Sequence, residues 1–239
     1  MSTNRLTLSQ AILDPLLHTD PVGPRLTYYD DADGQRIELS TVTLANWAAK
    51  TANLLRDELG AGPGCRVAVL LPAHWQTAAV LFGIWWIGAE VLLGTGPADV
   101  ALCTADRLGE ADQAAGEVAV LSLDPFGRPA DDVPVGVTDY ATAVRVHADQ
   151  VVAEPAPGPA LAGHSVDQVL ADCRSFAQAA GLTSADRVLS TASWAQPPAL
   201  VGHLLAILAV GGSLVHVAHP DPGVLPRRIE TEKVTRVLE

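Results

Sequence analysis

The sequence contains an internal repeat, which constrains its fold more than any other feature. The matching positions are a helix-ending glycine, a strand-opening arginine and a glycine at a helix-to-strand turn: Gly60 and Gly181, Arg66 and Arg187, Gly88 and Gly211. Each second copy lies about 120 residues after the first, a spacing at which three matches in register are hard to obtain by chance. The sequence therefore predicts two similar α/β lobes.

The predicted elements alternate between helices and short buried strands. Continuous apolar runs at 67–71 and 91–93 are typical of strands buried on both faces. Helices predicted at 41–59 and 75–87 alternate with them, which indicates βαβ units. An acidic turn at 30–34 between two alternating segments predicts a β-hairpin. The predicted fold class is α/β, with two pseudo-repeated lobes whose mostly parallel sheets pack through helices.

Composition divides the chain into three parts. We expect a first α/β lobe over 1–148, a linker rich in Pro and Ala over 149–163, and a second, partial lobe over 164–239. The final predicted strand, at 234–238, is cut off where the sequence stops, so the fold is expected to be incomplete at its C-terminus. An exposed sheet edge there predicts a homodimer or a protein partner that covers it.

Charge and residue usage exclude several classes of protein. A net charge of −12 and a pI near 4.8 disfavour nucleic acid as a partner. Three widely spaced cysteines without a CxxC pair resemble neither a disulfide framework nor a zinc site, and they fit a reducing cytoplasm. The first residues contain no continuous apolar run, so we expect no signal peptide there. The most apolar stretch, 77–89, is too short to span a bilayer, so we expect a buried helix, no membrane partner and a cytoplasmic location.

Several residue groups invite a chemical interpretation, but a structural one is simpler for each. The paired acids Asp30-Asp31 and Asp131-Asp132 lie in turns. His216 and His219 are expected on opposite faces of a strand, which disfavours a metal site. Ser165, beside His164, is better explained as a helix cap than as a nucleophile, and Gly94-Thr-Gly96 is too short to indicate nucleotide binding. No catalytic, cofactor-binding or metal-binding residue is predicted.

Two segments resemble a known family of enzymes. Residues 62–72 (GPGCRVAVLLP) and 181–191 (GLTSADRVLST) resemble scaffold segments of the adenylate-forming enzymes, which include acyl- and aryl-CoA synthetases, luciferases and nonribosomal adenylation domains. The resemblance extends over about residues 25–98 and 164–239 and matches the N-terminal part of that family. Cys65 stands where the family pattern has Asp.

This resemblance implies ATP-dependent activation of a carboxylate, with ATP or AMP and Mg as cofactors. In that family a loop rich in Ser, Thr and Gly and containing a Lys wraps the triphosphate. The equivalent segment here, 154–163 (EPAPGPALAG), has no Ser, Thr or Lys, and its three prolines lack an N–H. The only lysines, Lys50 and Lys233, lie elsewhere in the sequence. The later motifs of the family, including its mobile C-terminal domain, match nothing in this sequence.

The first hypothesis is therefore a catalytically degenerate, cofactor-free relative of the acyl-CoA synthetases. It would act by binding a small carboxylate or acyl ligand, or a protein partner. Trp194, Gln196 and His203 are the candidates for a ligand pocket, since Trp194 and Gln196 fall where the resemblance places the start of the acyl pocket. The alternative for Trp194 is a core position. The alternative function is a component or fragment of an acyl-adenylate-forming enzyme completed by another chain. An unrelated hydrolase is disfavoured, because the sequence shows no recognisable pair of nucleophile and base.

Overall fold

The computed structural model of the protein describes residues 5–238, which fall into two compact units. The first unit takes the residues up to Gln10, Ala45–Leu71 and Gln76–Val166. The second takes Ala11–Leu44, Pro72–Trp75 and the residues from Asp167 onward. Each unit contains one five-stranded sheet.

The strands and helices follow one another along the described chain. The strands are β1 (Pro24–Asp30), β2 (Gln35–Ser40), β3 (Arg66–Leu70), β4 (Glu90–Leu93), β5 (Val100–Cys103), β6 (Glu117–Val120), β7 (Thr138–Asp139), β8 (Arg187–Ser190), β9 (Ser213–Ala218) and β10 (Arg236–Leu238). The α-helices are α1 (Leu8–Thr19), α2 (Thr41–Asp57), α3 (Trp75–Trp86), α4 (Leu108–Ala114), α5 (Tyr140–Ala143), α6 (Val166–Ala180), α7 (Pro197–Leu200), α8 (Ala206–Ala209) and α9 (Leu225–Thr231). A π-helical turn, Val201–Leu205, joins α7 to α8.

The sheet of the first unit has the order β4-β3-β5-β6-β7, and every neighbouring pair is parallel. The sequence predicted β3 and β4 but assigned no element between residues 99 and 148. That stretch supplies β5, β6 and β7, together with α4 and α5. Its strands are only two to four residues long, which leaves too few positions for a periodic pattern.

The sheet of the second unit has the order β10-β8-β9-β1-β2. The predicted hairpin is confirmed, because β1 and β2 pair antiparallel, while the other neighbours are parallel. The division into two units differs from the predicted one, in which residues 1–148 form the first lobe. Ala11–Leu44 belongs to the second unit, because β1 hydrogen-bonds to β9 from the far end of the sequence. The fold class itself is confirmed.

The repeat reappears in matching backbone hydrogen bonds within each unit. Arg66 opens β3 and Arg187 opens β8, and Gly88 and Gly211 have φ angles of 72° and 92° at equivalent turns. Such positive values favour glycine, which explains the residue type at both turns. The corresponding hydrogen bonds are Glu90 N to Cys65 O (2.9 Å) and Ser213 N to Asp186 O (3.0 Å), and Asp99 N to Arg66 O and Thr235 N to Arg187 O (both 2.9 Å).

Helix α3 forms part of the core of the first unit, as its apolar sequence predicted. Its residues are buried along their whole length, including Phe82 and Trp85. Gly83 allows α3 to approach α2 closely, since a Cβ there would lie 2.8 Å from Thr51 Cβ and 2.9 Å from the Ala48 carbonyl oxygen. Throughout residues 5–238, no helix is both long enough and apolar enough to cross a membrane.

Candidate functional site

Three polar side chains form a row across the second sheet, near the carboxyl ends of its strands. Ser190 is the last residue of β8 and pairs with His216 of β9, which in turn pairs with Tyr28 of β1. Residues paired in register on parallel strands share one face of the sheet. The carboxyl ends of parallel strands are where α/β sheets bind ligands, so this row marks the first place to search for a site.

Aromatic and imidazole rings surround this row. The ring centroids of Tyr28 and His74 are 4.4 Å apart in an edge-on contact, and Tyr28 lies 6.1 Å from His216 with the rings nearly parallel. The ring centroids of Trp194 and His216 are 5.1 Å apart. We call Tyr28, His74, Trp194, His203 and His216 the ring cluster. All of its members are buried except His203, which is half-buried.

The ring cluster is uncharged at neutral pH. Burial, reinforced by His203, lowers the pKa of His216 to about 4, and burial together with His216 lowers the pKa of His74 to about 3. Burial also lowers the pKa of His203. Burial and the nearby carboxylate of Asp30 raise the pKa of the Tyr28 hydroxyl, so it stays protonated.

A hydrogen bond links the His203 ring to Ser190. Ser190 Oγ accepts from the Ala192 amide at 3.2 Å and lies 2.8 Å from His203 Nδ1. Because a hydroxyl can both donate and accept, the tautomer of His203 decides which of these two atoms is the donor. The sequence found no pair of nucleophile and base, yet the structure brings these two residues together. Ser190 is fully buried, so the contact orients the His203 ring rather than exposing a nucleophile.

Two buried ring nitrogens in this cluster have no hydrogen-bond partner within the described part of the chain. They are Trp194 Nε1 and His216 Nδ1. Of the three residues predicted to line a pocket, Trp194 and His203 both lie beside His216, whereas Gln196 is exposed at the start of α7. His216 and Tyr28 were missed as site residues, because strand pairing rather than sequence proximity brings them to Trp194.

The segment 154–163, predicted as part of a linker, lies along the edge of the first sheet. Leu161 pairs in parallel with Val91 of β4, and Trp85 Nε1 donates to the Ala160 carbonyl at 2.7 Å. A Cβ on Gly88 would lie 2.8 Å from Glu154 Cγ, so the segment also packs closely against the turn before β4. Proline is tolerated at such an edge because the missing N–H breaks no ladder.

Every amide N–H in this segment donates within the chain. Three of its ten residues are prolines, and the other seven amides all have an acceptor. The donor–acceptor pairs are Glu154 to Trp86 O, Ala156 to Glu154 Oε1, Gly158 to Gly88 O, Ala160 and Leu161 to His164 O, Ala162 to Val91 O and Gly163 to Glu90 Oε1.

A cavity of about 580 Å³ lies at the opposite, amino end of the second sheet, between α1 and the loop before β8. Its buried cation, Arg25, donates to the carbonyl oxygens of Gly211 (2.6 Å) and Gly212 (2.7 Å) and to the side chains of Thr41 and Asp20. The guanidinium is thus already used within the fold. Across the described residues, no group of three or more His, Cys, Asp or Glu side chains is placed to hold a metal ion.

Comparison with known proteins identifies a family. No protein-family model matches the chain. A protein of Mycobacterium tuberculosis described as a TIGR03089 family protein is 74% identical over 242 residues, which cover 99% of this chain and 100% of that protein. The chain belongs to the TIGR03089 family.

The fold of this TIGR03089 family member matches solved acyl-CoA ligases. It resembles an acyl-CoA synthetase of Brucella canis (TM-score 0.82, 19% identity, 97% of this chain and 47% of that one). It also resembles a benzoate CoA ligase of Burkholderia xenovorans (0.75, 17%, 98% and 50%) and an acetoacetyl-CoA synthetase of Streptomyces lividans (0.78, 18%, 97% and 42%). The chain spans about half the length of these enzymes, and its α/β fold matches the N-terminal domain of the adenylate-forming superfamily.

Proposed function

We propose that this TIGR03089 family member is a catalytically degenerate form of the adenylate-forming N-terminal fold and acts by binding. Its partner would be a small carboxylate or acyl ligand at the ring cluster, or another protein. The observation that carries the proposal is the segment 154–163, whose seven amide N–H groups all donate to acceptors within the chain.

Phosphate binding by a loop requires free backbone donors and a nearby cation. To supply donors, the segment would have to break its hydrogen bonds to β4 and to the turn at Gly88. Its prolines would still contribute none. Triphosphate binding depends on several charge-assisted hydrogen bonds, each contributing about 1.5–3 kcal/mol. A rearranged loop with three prolines does not supply these hydrogen bonds.

Neither lysine supports ATP binding in this segment. Lys50 lies on α2, and its ammonium group donates to the carbonyl oxygen of His147 at 2.6 Å. Lys233 lies between α9 and β10 in the second unit, at the amino end of a strand. In the enzymes that this fold resembles, a lysine of the phosphate-binding loop reaches the phosphates. Neither lysine of this chain belongs to the segment 154–163, which corresponds to that loop.

Calorimetry and a product assay test the proposal together. The full chain is titrated with Mg-ATP up to millimolar concentration, and pyrophosphate release is measured with benzoate, anthranilate, acetoacetate and fatty acids. A full-length acyl-CoA synthetase of the same fold serves as the positive control. We expect no saturable heat and no pyrophosphate above background. Micromolar ATP affinity, or carboxylate-dependent pyrophosphate from the isolated chain, would overturn the proposal.

The second candidate is a component of a carboxylate-activating enzyme completed by another chain. This candidate is favoured by the length of the chain, which covers only 42% to 50% of the solved enzymes that it resembles. The same assay separates the two candidates when it is repeated on the complex purified from the native host. Pyrophosphate from that complex, but not from the isolated chain, would support the second candidate against the first.

A further inference from the structure

We infer that the ring cluster binds a small neutral molecule with a carbonyl or hydroxyl group in preference to a carboxylate. The inference rests on the proposed binding function and narrows its ligand, given there as a carboxylate or an acyl compound, to an uncharged one. It also departs from the adenylate-forming enzymes, whose substrates are carboxylates. Two features of the cluster carry it: its unsatisfied ring nitrogens and its lack of charge.

The ring nitrogens define the hydrogen bonds a ligand must make. Among the described residues, Trp194 Nε1–H is a donor without a partner. In the same part of the chain, residues 5–238, His216 Nδ1 is buried without a partner, and it donates or accepts according to its tautomer. Buried polar groups are almost always satisfied, so unpartnered nitrogens on two rings 5.1 Å apart point to an oxygen-bearing ligand.

The charges around the cluster select against an anion. Within the described residues, no Lys or Arg side chain hydrogen-bonds to Trp194, His203 or His216. The carboxylate of Asp30, which accepts from the Tyr28 hydroxyl at 3.4 Å, would repel a carboxylate ligand. With a pKa of about 4, the His216 ring is disfavoured as a cation by about a thousandfold at pH 7. A carboxylate would therefore enter an apolar, uncompensated site, whereas an amide or alcohol would not.

Nuclear magnetic resonance of the ¹⁵N-labelled full chain tests this inference. The readout is the indole N–H resonance of Trp194, identified by its loss in Trp194→Phe. Benzamide and benzyl alcohol are the neutral probes and benzoate is the matched anion, all at pH 7. Acetamide and acetate repeat the comparison at smaller size, so that an oversized probe does not decide it. We expect a saturable shift with a neutral probe and binding of its carboxylate counterpart at least about tenfold weaker.

Variants separate a hydrogen bond from simple packing. Trp194→Phe keeps an aromatic ring but removes the N–H, and we expect it to weaken benzamide binding, measured by calorimetry, by about tenfold. Trp86→Phe, at the end of α3 in the first unit, is the matched control and should leave the affinity unchanged. Circular dichroism tests whether both variants are folded. If Trp194→Phe is unfolded, the titration of the wild-type protein decides the inference.

Two results would overturn the inference. One is a carboxylate that binds at Trp194 as tightly as its neutral counterpart, which would show that the site supplies a cation. The other is the absence of a saturable shift at Trp194 with all three neutral probes. Both outcomes are independent of pyrophosphate release, which tests the proposed function, so the two failures are distinguishable.

Discussion

At the scale of single residues, Glu232 holds three side chains of the second unit together. This buried carboxylate accepts from the Tyr29 hydroxyl at 2.5 Å, from Arg187 Nη2 at 2.5 Å and from Arg36 Nε at 3.0 Å. Burial alone would raise its pKa, but these donors outweigh burial and lower the pKa of Glu232 below its ordinary value. The network ties α9 to β1, β2 and β8.

We predict that Glu232→Gln lowers the free energy of unfolding by roughly 1–3 kcal/mol at pH 7, because charge-assisted hydrogen bonds become neutral ones. Since the folded pKa is lowered, the stabilisation is present above the ordinary pKa near 4.5 and is lost as the pH falls through the folded value. Urea unfolding from pH 7 to pH 3 measures this. Glu230→Gln, at an exposed position on α9, is the control. A difference between wild type and Glu232→Gln that persists unchanged at pH 3 would contradict the account.

At the scale of elements, the contact between α2 and α3 depends on one missing side chain. We predict that Gly83→Ala destabilises the protein by roughly 1–3 kcal/mol, because the added Cβ meets Thr51 and the Ala48 carbonyl at less than 3 Å. Gly109→Ala in α4 is the matched control, since its Cβ would meet nothing within 4 Å. It should be neutral or stabilise by about 0.5–1 kcal/mol through helix propensity. Thermal unfolding of the two variants measures the contrast, and equal effects would refute it.

The edge segment 154–163 makes a second prediction at this scale. Ala160 is 2% exposed, and its carbonyl accepts from Val91 N and Trp85 Nε1, whereas Ala156 is exposed. We expect Ala160→Lys to lower stability by roughly 2–5 kcal/mol through burial of an unpaired charge, and Ala156→Lys to leave it nearly unchanged. Neither lysine should produce pyrophosphate from ATP and a carboxylate. Activity in Ala156→Lys would show that one cation suffices and that the backbone donors do not limit phosphate binding.

At the scale of the whole molecule, the outer edge of β10 carries no strand among the described residues. Val237 in this strand is 48% exposed. We propose that a second copy or another protein covers this edge, with an interface on the order of 1,000 Å² or more. Sedimentation of the full chain at high micromolar concentration should show a dimer, or a complex with that protein. Val237→Lys should shift it toward monomer, since a charge on an edge opposes pairing. A wild-type monomer without a partner would count against the proposal.

The sequence alone determined the repeat, the α/β class and the order of helices and strands around Arg66 and Arg187. These features depend on neighbouring residues: an apolar run, a glycine with positive φ and a strand-opening arginine lie within one βα unit. The sequence also determined that the segment 154–163 has few backbone donors, because each proline removes one wherever the chain places it.

Only the tertiary structure decided which distant segments meet. Tyr28 and Ser190 lie far apart in the sequence, yet both pair in register with His216, and no local pattern encodes that register. The same is true of β1 and β2, which join the second sheet although they come first in the chain. Tertiary contacts also decided that the amides of 154–163 are occupied and that the ring cluster is neutral, because burial and hydrogen-bond partners depend on what packs against a residue rather than on its sequence neighbours.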